Sequence, residues 1–250
     1  MKAKGVTEKS TKNLFANILL KIGHRFSLSK VFDDFLTMAI AACTQNPETK
    51  LSYYEDEYLQ IIAAYKDSEL RHEFPRAFAQ LIIEMEERVN SDYGSDVLGE
   101  FFEQELSHGR NGQFFTPYPI CQFMTSITAA NNSLKHKSHI EPLRILDPAC
   151  GSGRMLLAAH RYHGSGNQYY GIDIDMTCVK MTSLNMFLNG MWNSEVMCAN
   201  SLAIDDFVIA YRLSFFLLEF LKSTKKKNLL YGICIATPFK EKTITMQVQT

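Results

Sequence analysis

The sequence predicts an α/β protein in which a mostly parallel sheet follows a helical N-terminal module. From Lys12 to about Asn90 the apolar residues recur at the three- and four-residue intervals of amphipathic helices. Beyond Pro117, short strand-like segments alternate with helical ones, as in a parallel sheet whose strands are joined by crossover helices. We therefore expect two units. Residues 1–112 form the helical module with its junction, and residues 113–250 form the sheet domain.

The N-terminal unit is predicted to be helical from its apolar stripes. Phe32, Phe35 and Leu36 are spaced to lie on one face of a helix, and Leu81 with Met85 repeats this pattern later in the chain. A glycine-rich junction follows the last of these helices and contains one apolar segment. We predict a single short helix within that junction.

The sheet domain is predicted to contain four strands: Arg144–Leu146, Gln168–Ile172, Glu195–Cys198 and Leu229–Ile235. Three helices are predicted between them: Met155–Tyr162, Val179–Asn189 and Phe207–Leu221. Each helix provides the long crossover that two parallel neighbours require.

Composition excludes several classes of protein. The chain has 250 residues, of which 46% are hydrophobic, so it can bury a core and is not mainly disordered. Its net charge of −1 means that nucleic acid would be contacted through a local patch or a partner. Charges break the apolar stretches well before membrane-span length, and six dispersed cysteines without a CxxC pair indicate reduced thiols. We expect a soluble cytoplasmic protein without membrane contact.

No metal site is expected. His160 and His163 are three residues apart, but no cysteine or carboxylate adds ligands at the spacing of a zinc site.

A glycine-rich turn between the first strand and its helix is the strongest local signal for chemistry. The turn begins at Asp147 and contains Gly151 and Gly153, and such glycines let the backbone approach a ligand closely. Asp173 ends the next strand twenty residues after the last glycine, where a doubly wound sheet places an acid on a ribose hydroxyl. Together these features predict a cofactor that contains a nucleoside. The turn has no Gly-Lys-Ser/Thr phosphate loop and no third glycine, so it is poorly suited to the pyrophosphate of a dinucleotide.

Two motifs, in order and at the expected spacing, resemble those of N6-adenine DNA methylases. Asp147–Gly153 reads Asp-Pro-Ala-Cys-Gly-Ser-Gly and is similar to the S-adenosylmethionine loop of class I methyltransferases in the form typical of that family. Gly112–Pro117 reads Gly-Gln-Phe-Phe-Thr-Pro and resembles the segment that covers the methionine end of the cofactor. The similarity runs from about Asp96 to Ser201. It most resembles the modification subunits of type I restriction systems, which also carry a helical N-terminal module.

The resemblance implies a Rossmann-like class I methyltransferase fold with S-adenosylmethionine as the cofactor. Asp147 would face the methionine part, Asp173 would accept the ribose hydroxyls, and Ile174 would lie against the adenine. Asn200 stands where the family usually has an acid-type residue at the adenine amino group, and its amide oxygen can accept that hydrogen. The implied cofactor-binding residues are Gln113, Phe114, Phe115, Thr116, Pro117, Asp147, Ala149, Gly151, Ser152, Gly153, Asp173, Ile174 and Asn200.

The segment expected to carry catalysis departs from the family's pattern. The family has (Asp/Asn)-Pro-Pro-(Tyr/Phe) after the fourth strand, where two acceptors direct the N6 lone pair of adenine at the methyl group and the ring stacks on the base. Here the segment reads Ala236-Thr237-Pro238-Phe239, so one proline and the aromatic remain but the side-chain acceptor is missing. The catalytic residues therefore stay unknown. A plain turn, in a hairpin with Thr243–Thr250, is the other interpretation of this segment.

One main function and two alternatives follow. The main one is an S-adenosylmethionine-dependent DNA methyltransferase of the N6-adenine type, similar to a type I restriction-modification methylase subunit, with weak or absent activity as an isolated chain. DNA, a separate specificity subunit and other restriction-modification subunits would be its partners. The alternatives are a catalytically inactive module that binds the cofactor within a DNA complex, and a methyltransferase that acts on RNA or protein. We also expect the sheet to be incomplete at its C-terminus, because the chain stops at Thr250.

Overall fold

The computed structural model describes residues 14–44, 52, 54–66, 68–89, 94–107, 114–135, 142–203, 207–213 and 218–222. Within these ranges a helical N-terminal part precedes a sheet with its helices. The N-terminal helices are α1 (Leu14–Gly23), α2 (Leu28–Cys43), α3 (Glu55–Ala64), α4 (Ser68–Arg71), α5 (Glu73–Arg88) and α6 (Val97–Phe101). Helix α6 continues directly into a π-helical turn, Phe102–Ser107. Among the helices described, none combines the length and the apolar character needed to cross a membrane.

The sheet domain alternates strands with helices, as predicted. Its helices are α7 (Tyr118–Lys135), α8 (Arg154–His163) and α9 (Met176–Leu188). Its described strands are β1 (Arg144–Asp147), β2 (Gln168–Asp173), β3 (Ser194–Cys198), β4 (Ile209–Leu213) and β5 (Leu218–Lys222), which pair in that order in one sheet. The predicted α/β fold class is confirmed, and the predicted first three strands with helices α8 and α9 are confirmed to within three residues at their ends.

The parallel half of the sheet places the ends of its strands side by side. Strand β1 pairs with β2 and β2 pairs with β3, both in parallel, and α8 and α9 supply the crossovers that such pairing requires. The register sets Asp147 opposite Gly171 and Asp173 opposite Cys198. The carboxyl ends of β1, β2 and β3 therefore meet at one edge of the sheet.

The other half of the sheet corrects one prediction. The predicted helix Phe207–Leu221 is wrong, because β4 and β5 occupy this region and run antiparallel to each other. Residues 214–217 alone separate the two strands, whereas a parallel pairing would need a crossover of about a dozen residues or more. Tyr211 lies buried in β4, where its hydroxyl accepts a hydrogen bond from that of Tyr54 at 3.1 Å. The predicted fourth strand, Leu229–Ile235, lies outside the described residues.

Two hydrophobic cores share helix α9. The first joins the N-terminal helices to α9, and it includes Phe15, Phe32, Phe35, Phe101, Cys178, Met181 and Leu184. The second lies between the sheet and its helices, and it includes Leu156, Tyr169, Val179, Met186, Val196 and Tyr211. A helix that is apolar on opposite sides is buried on both, which fits α9 between the two cores. The division of the chain at residue 112 stays a prediction, and the first core extends across that boundary.

Candidate functional site

The turn between β1 and α8 is fixed by short-range hydrogen bonds. The carboxylate of Asp147 accepts from the N–H of Ala149 at 3.1 Å. The N–H of Cys150 donates to the carbonyl of Ile172 at 2.9 Å, which ties the turn to β2, and the N–H of Gly153 donates to the carbonyl of Cys150 at 2.7 Å. These hydrogen bonds fix the conformation of residues 147–153, which are called the glycine loop hereafter.

Two positions of the glycine loop favour glycine because of their backbone conformation, and one of them also because of a close contact. Gly151 and Gly153 both have positive φ, at +55° and +87°, which a residue with a Cβ adopts only with strain. At Gly151 there is also no room, because a Cβ there would lie 2.7 Å from Cδ1 of Phe115. The ring of Phe115 thus packs directly against the loop backbone.

Asp173 at the end of β2 holds the glycine loop from below. Its Oδ2 accepts from the N–H of Gly151 at 2.8 Å, and its Oδ1 accepts from the N–H of Asp175 at 2.9 Å. Each carboxylate oxygen can accept more than one hydrogen bond, so Asp173 retains acceptor capacity for a ligand hydroxyl. Burial raises the pKa of Asp147 most; the N–H of Ala149 opposes this shift, and the negative charge of Asp173 adds to it.

A buried carboxylate, Asp96, holds the loop from the opposite side. Its side chain is 1% exposed. The residue immediately precedes helix α6, and its Oδ1 caps that helix by accepting from the N–H of Gly99 at 2.8 Å. Oδ1 also accepts from Nδ2 of Asn185 at 2.8 Å. Oδ2 accepts from the hydroxyl of Ser152 at 2.6 Å and from Nε of Arg154 at 2.7 Å. One carboxylate therefore joins α6, the glycine loop, α8 and α9.

Arg154 extends this network to the segment that precedes α7. Its Nη2 donates to Glu103 Oε2 at 2.9 Å, and its Nη1 lies 3.4 Å from the carbonyl oxygen of Thr116. Burial alone would lower the pKa of Arg154, but Asp96 and Glu103 outweigh it, so the pKa lies above its ordinary value. The guanidinium is thus a permanent cation that links three parts of the chain.

The segment 114–117, called the covering segment hereafter, lies over the glycine loop through Phe115. Glu103 Oε1 accepts from the N–H of Phe115 at 2.9 Å. The ring of Phe115 stacks on Phe102 with centroids 5.7 Å apart, and the guanidinium of Arg154 lies 5.7 Å from its centroid. Phe114, by contrast, is 76% exposed.

The structure brings most of the predicted cofactor-binding residues to the carboxyl ends of β1, β2 and β3. Ser152 turns its hydroxyl to Asp96, so a ligand contact from Ser152 would come from its backbone. Ile174 is 75% exposed beyond β2. Asn200 is exposed beyond β3, and its Oδ1 accepts from the N–H of Leu202 at 3.0 Å. Of the other predicted site residues, Gln113 and the segment Ala236–Phe239 lie outside the described residues.

Sequence reasoning missed four members of this site: Asp96, Glu103, Arg154 and Asn185. Arg154 carried a signal, because it is the first residue of α8 and a cation there opposes the helix dipole unless carboxylates lie nearby. Asp96 carried another, because an Asp before a short apolar segment is a common helix N-cap. Neither signal identifies the partner, which in both cases lies in a distant part of the chain.

The same part of the chain is similar in sequence to known proteins. Residues 93–216, just under half of the chain, match the family described as N-6 DNA Methylase. The chain is 28% identical over 143 residues to the Type II restriction enzyme and methyltransferase RM.BcgI of Heyndrickxia coagulans. This alignment covers 50% of the present chain and 21% of that protein. It is 25% identical over 114 residues to the Type I restriction enzyme MjaVII methylase subunit of Methanocaldococcus jannaschii. That alignment covers 42% of the present chain and 18% of the relative. The alignments thus span about a fifth of the length of these relatives.

A solved structure was also matched, the methyltransferase subunit of the type I restriction-modification system from Streptococcus thermophilus. It is 15% identical, with a TM-score of 0.39, and the match covers 77% of this chain and 58% of that chain. The assignment rests instead on the family match over the segment that contains Asp96, the glycine loop and Asp173. Residues 93–216 of this chain are therefore similar to the N-6 DNA Methylase family.

Proposed function

We propose that the chain binds S-adenosylmethionine at the carboxyl ends of β1 and β2, as the cofactor-binding part of an N6-adenine DNA methyltransferase. One observation carries the proposal: Asp147, Gly151 and Asp173 meet around one rigid loop, with the ring of Phe115 packed against Gly151. An acid at the second strand and a glycine loop at the first are the arrangement that binds nucleoside cofactors in doubly wound sheets. The assigned cofactor-binding residues belong to this proposal.

The chemistry of the donor set fits this cofactor. S-adenosylmethionine carries a sulfonium cation, an ammonium cation and a ribose diol. Asp173 has acceptor capacity left for the diol, and a cation beside Asp147 would stabilise the charged form that burial disfavours. When bound, the cofactor supplies an electrophilic methyl group. The role of this chain is to bind the cofactor, orient its methyl group and exclude water around it.

We further propose DNA as the substrate, in the cytoplasm. The matched family is described as N-6 DNA Methylase, and the two relatives above are described as a restriction enzyme and methyltransferase and as a methylase subunit of a restriction enzyme. Because the net charge of this chain is −1, most of the phosphate neutralisation would come from a partner such as a separate specificity subunit.

Methyl transfer by this chain alone is proposed to be weak or absent. Ala236 stands where the family pattern has an acceptor side chain, so adenine N6 would have one polar partner fewer. Losing one preorganised polar contact in a catalytic site commonly costs roughly 100- to 1,000-fold in rate. An inactive cofactor-binding module is therefore the second candidate function, and the sequence at Ala236 is the observation that favours it.

The test combines binding with transfer. The purified chain is titrated with S-adenosylmethionine in a calorimeter, and it is incubated in parallel with the tritiated cofactor and mixed-sequence DNA, RNA or protein. Binding with transfer to DNA supports the methyltransferase, and binding without transfer supports the inactive module. A gain of transfer in the double variant Ala236→Asn, Thr237→Pro would assign that segment to catalysis. Absence of cofactor binding would overturn the proposal.

A further inference from the structure

We propose that Glu103 is a positioning residue for cofactor binding, which holds the covering segment over the glycine loop without contacting the cofactor itself. The inference rests on the proposed cofactor site. Glu103 lies on the π-helical turn that continues helix α6, and short π-helical segments are frequent at functional sites. Its side chain is 27% exposed.

The two oxygens of Glu103 have different partners, and both lead to the covering segment. Oε1 accepts from the N–H of Phe115 at 2.9 Å. Oε2 accepts from Nη2 of Arg154 at 2.9 Å, and Nη1 of Arg154 in turn lies 3.4 Å from the carbonyl oxygen of Thr116. Glu103 therefore holds the N–H of Phe115, and its ion-pair partner Arg154 lies at the C=O of the next residue, Thr116. This arrangement fixes the height and the direction of the covering segment above the loop.

The ring of Phe115 is held at the same place by its neighbours. Phe102, the residue before Glu103, stacks on it with an interplanar angle of 27°. The ring also lies against the backbone at Gly151, where an added Cβ would be 2.7 Å from its Cδ1. A shift of the covering segment would separate these surfaces and open the wall of the proposed site.

The contact of Glu103 with the covering segment can be removed without removing the contacts of Asp96 that stabilise the fold. Asp96 is 1% exposed and accepts from four donors, one each in α6, the glycine loop, α8 and α9, so its loss would disrupt the whole domain. When Glu103 is removed, Arg154 remains paired with Asp96 through Nε. The effect of Glu103 can therefore be measured in a protein that still folds.

The variants Glu103→Ala and Glu103→Gln distinguish a role in positioning the covering segment from an effect of the negative charge alone. Glu103→Ala removes both contacts and should weaken S-adenosylmethionine binding about tenfold, as expected for a partly exposed charge-assisted hydrogen bond. Glu103→Gln removes the same negative charge but keeps an oxygen that can accept from the N–H of Phe115. It should weaken binding only about threefold. Equal losses in the two variants would mean that the charge alone attracts the cofactor, which would overturn the positioning role.

Glu105→Ala is the matched control, because Glu105 lies on the same π-helical turn and carries the same charge. It should bind the cofactor within about twofold of the wild type. A double-mutant cycle with Phe115→Ala adds a second criterion, since coupled residues give non-additive effects. If Glu103 acts by placing the ring of Phe115, Glu103→Ala should weaken binding less in the Phe115→Ala background, where the backbone N–H is kept but the ring is gone. Additive losses would contradict the mechanism.

Amide hydrogen exchange provides a measurement that needs no cofactor. In the cofactor-free protein, Glu103→Ala should accelerate exchange at the N–H of Phe115, while Glu105→Ala should leave it unchanged. If the wild type does not bind S-adenosylmethionine, the proposed function fails, and the exchange result still reports on the covering segment. Unchanged exchange and unchanged affinity in Glu103→Ala would overturn the inference.

Discussion

The two sides of the glycine loop use carboxylates in opposite ways. Asp173 and Asp147 lie at the ends of parallel strands, are partly exposed, and bond to amides one to a few residues away or in the adjacent loop. Asp96 is buried and receives donors from α6, the glycine loop, α8 and α9. The first pair keeps acceptor capacity for a ligand, whereas Asp96 has none to spare. The comparison teaches that the acceptor capacity left for a ligand lies on the acids at the strand ends, whereas that of Asp96 is used to join the helices to the loop.

The separation has an energetic reason. A buried ion pair contributes little net stability compared with apolar packing, but removal of one partner leaves an uncompensated charge and is costly. A carboxylate at a strand end costs less to remove, because water reaches the vacated position. Substitutions on the Asp96 side should therefore reduce stability, and substitutions on the Asp173 side should reduce binding.

The largest effect is expected from Asp96→Ala. This variant leaves the cation of Arg154 buried without its principal partner, and it should lower the free energy of unfolding by about 3 to 5 kcal/mol. Urea unfolding followed by circular dichroism measures the change. Asp56→Ala is the control, because Asp56 is an exposed acid in the first turn of α3, and its substitution should change stability by about 0.5 kcal/mol or less. A decrease in the free energy of unfolding of less than about 1 kcal/mol in Asp96→Ala would contradict the structural role given to Asp96.

The next effect concerns the other side of the loop. Asp173→Ala should weaken S-adenosylmethionine binding by about 1.5 to 3 kcal/mol, as expected for the loss of a hydrogen bond to a charged group. Calorimetric titration gives the affinity, and urea unfolding should show a smaller change than in Asp96→Ala. Cofactor affinity equal to that of the wild type would remove Asp173 from the proposed site.

A smaller effect should come from filling the space under Phe115. Gly151→Ala introduces a Cβ 2.7 Å from the ring at a residue with φ of +55°. Gly190→Ala is the matched control, since Gly190 has φ of +71° but its added Cβ would meet Trp192 at an ordinary 3.7 Å. Gly151→Ala should cost about 1 kcal/mol more stability than Gly190→Ala, because the ring must move. This additional loss of stability should disappear in the Phe115→Ala background, where the ring is absent. If it persists there, the strain does not come from the contact with Phe115.

The smallest effect is a change in the pH dependence of stability. The pKa of Asp147 is raised in the folded protein, chiefly by burial, so folding favours its protonated form. The resulting stabilisation is fully present below the ordinary pKa of 3.8 and is lost as the pH rises through the raised value. Asp147→Asn removes this dependence, so the wild type should lose stability relative to the variant as the pH rises from 3.8 through the raised pKa. A difference that does not vary with pH would contradict the shift, and unfolding curves at several pH values measure it.

Much of the proposed cofactor site could be predicted because its information is local. Two glycines in a strand-to-helix turn and an acid at the end of the next strand specify backbone geometry over short distances, and parallel pairing then brings the two strand ends together. The helical spacing before residue 90 and the alternation after residue 117 specified the fold class for the same reason. The segment from 207 to 221 was misassigned, because a dense apolar run has no clear period.

The sequence by itself determined the parallel strands, their crossover helices and the glycine loop with Asp173. Only the tertiary structure decided the other side of the site. Asp96 is separated by 56 residues from Ser152, by 58 from Arg154 and by 89 from Asn185. Glu103 is 51 residues from Arg154. Spacing along a chain encodes neighbours within a turn or a strand, but partners at these separations meet only when the two hydrophobic cores form on either side of α9.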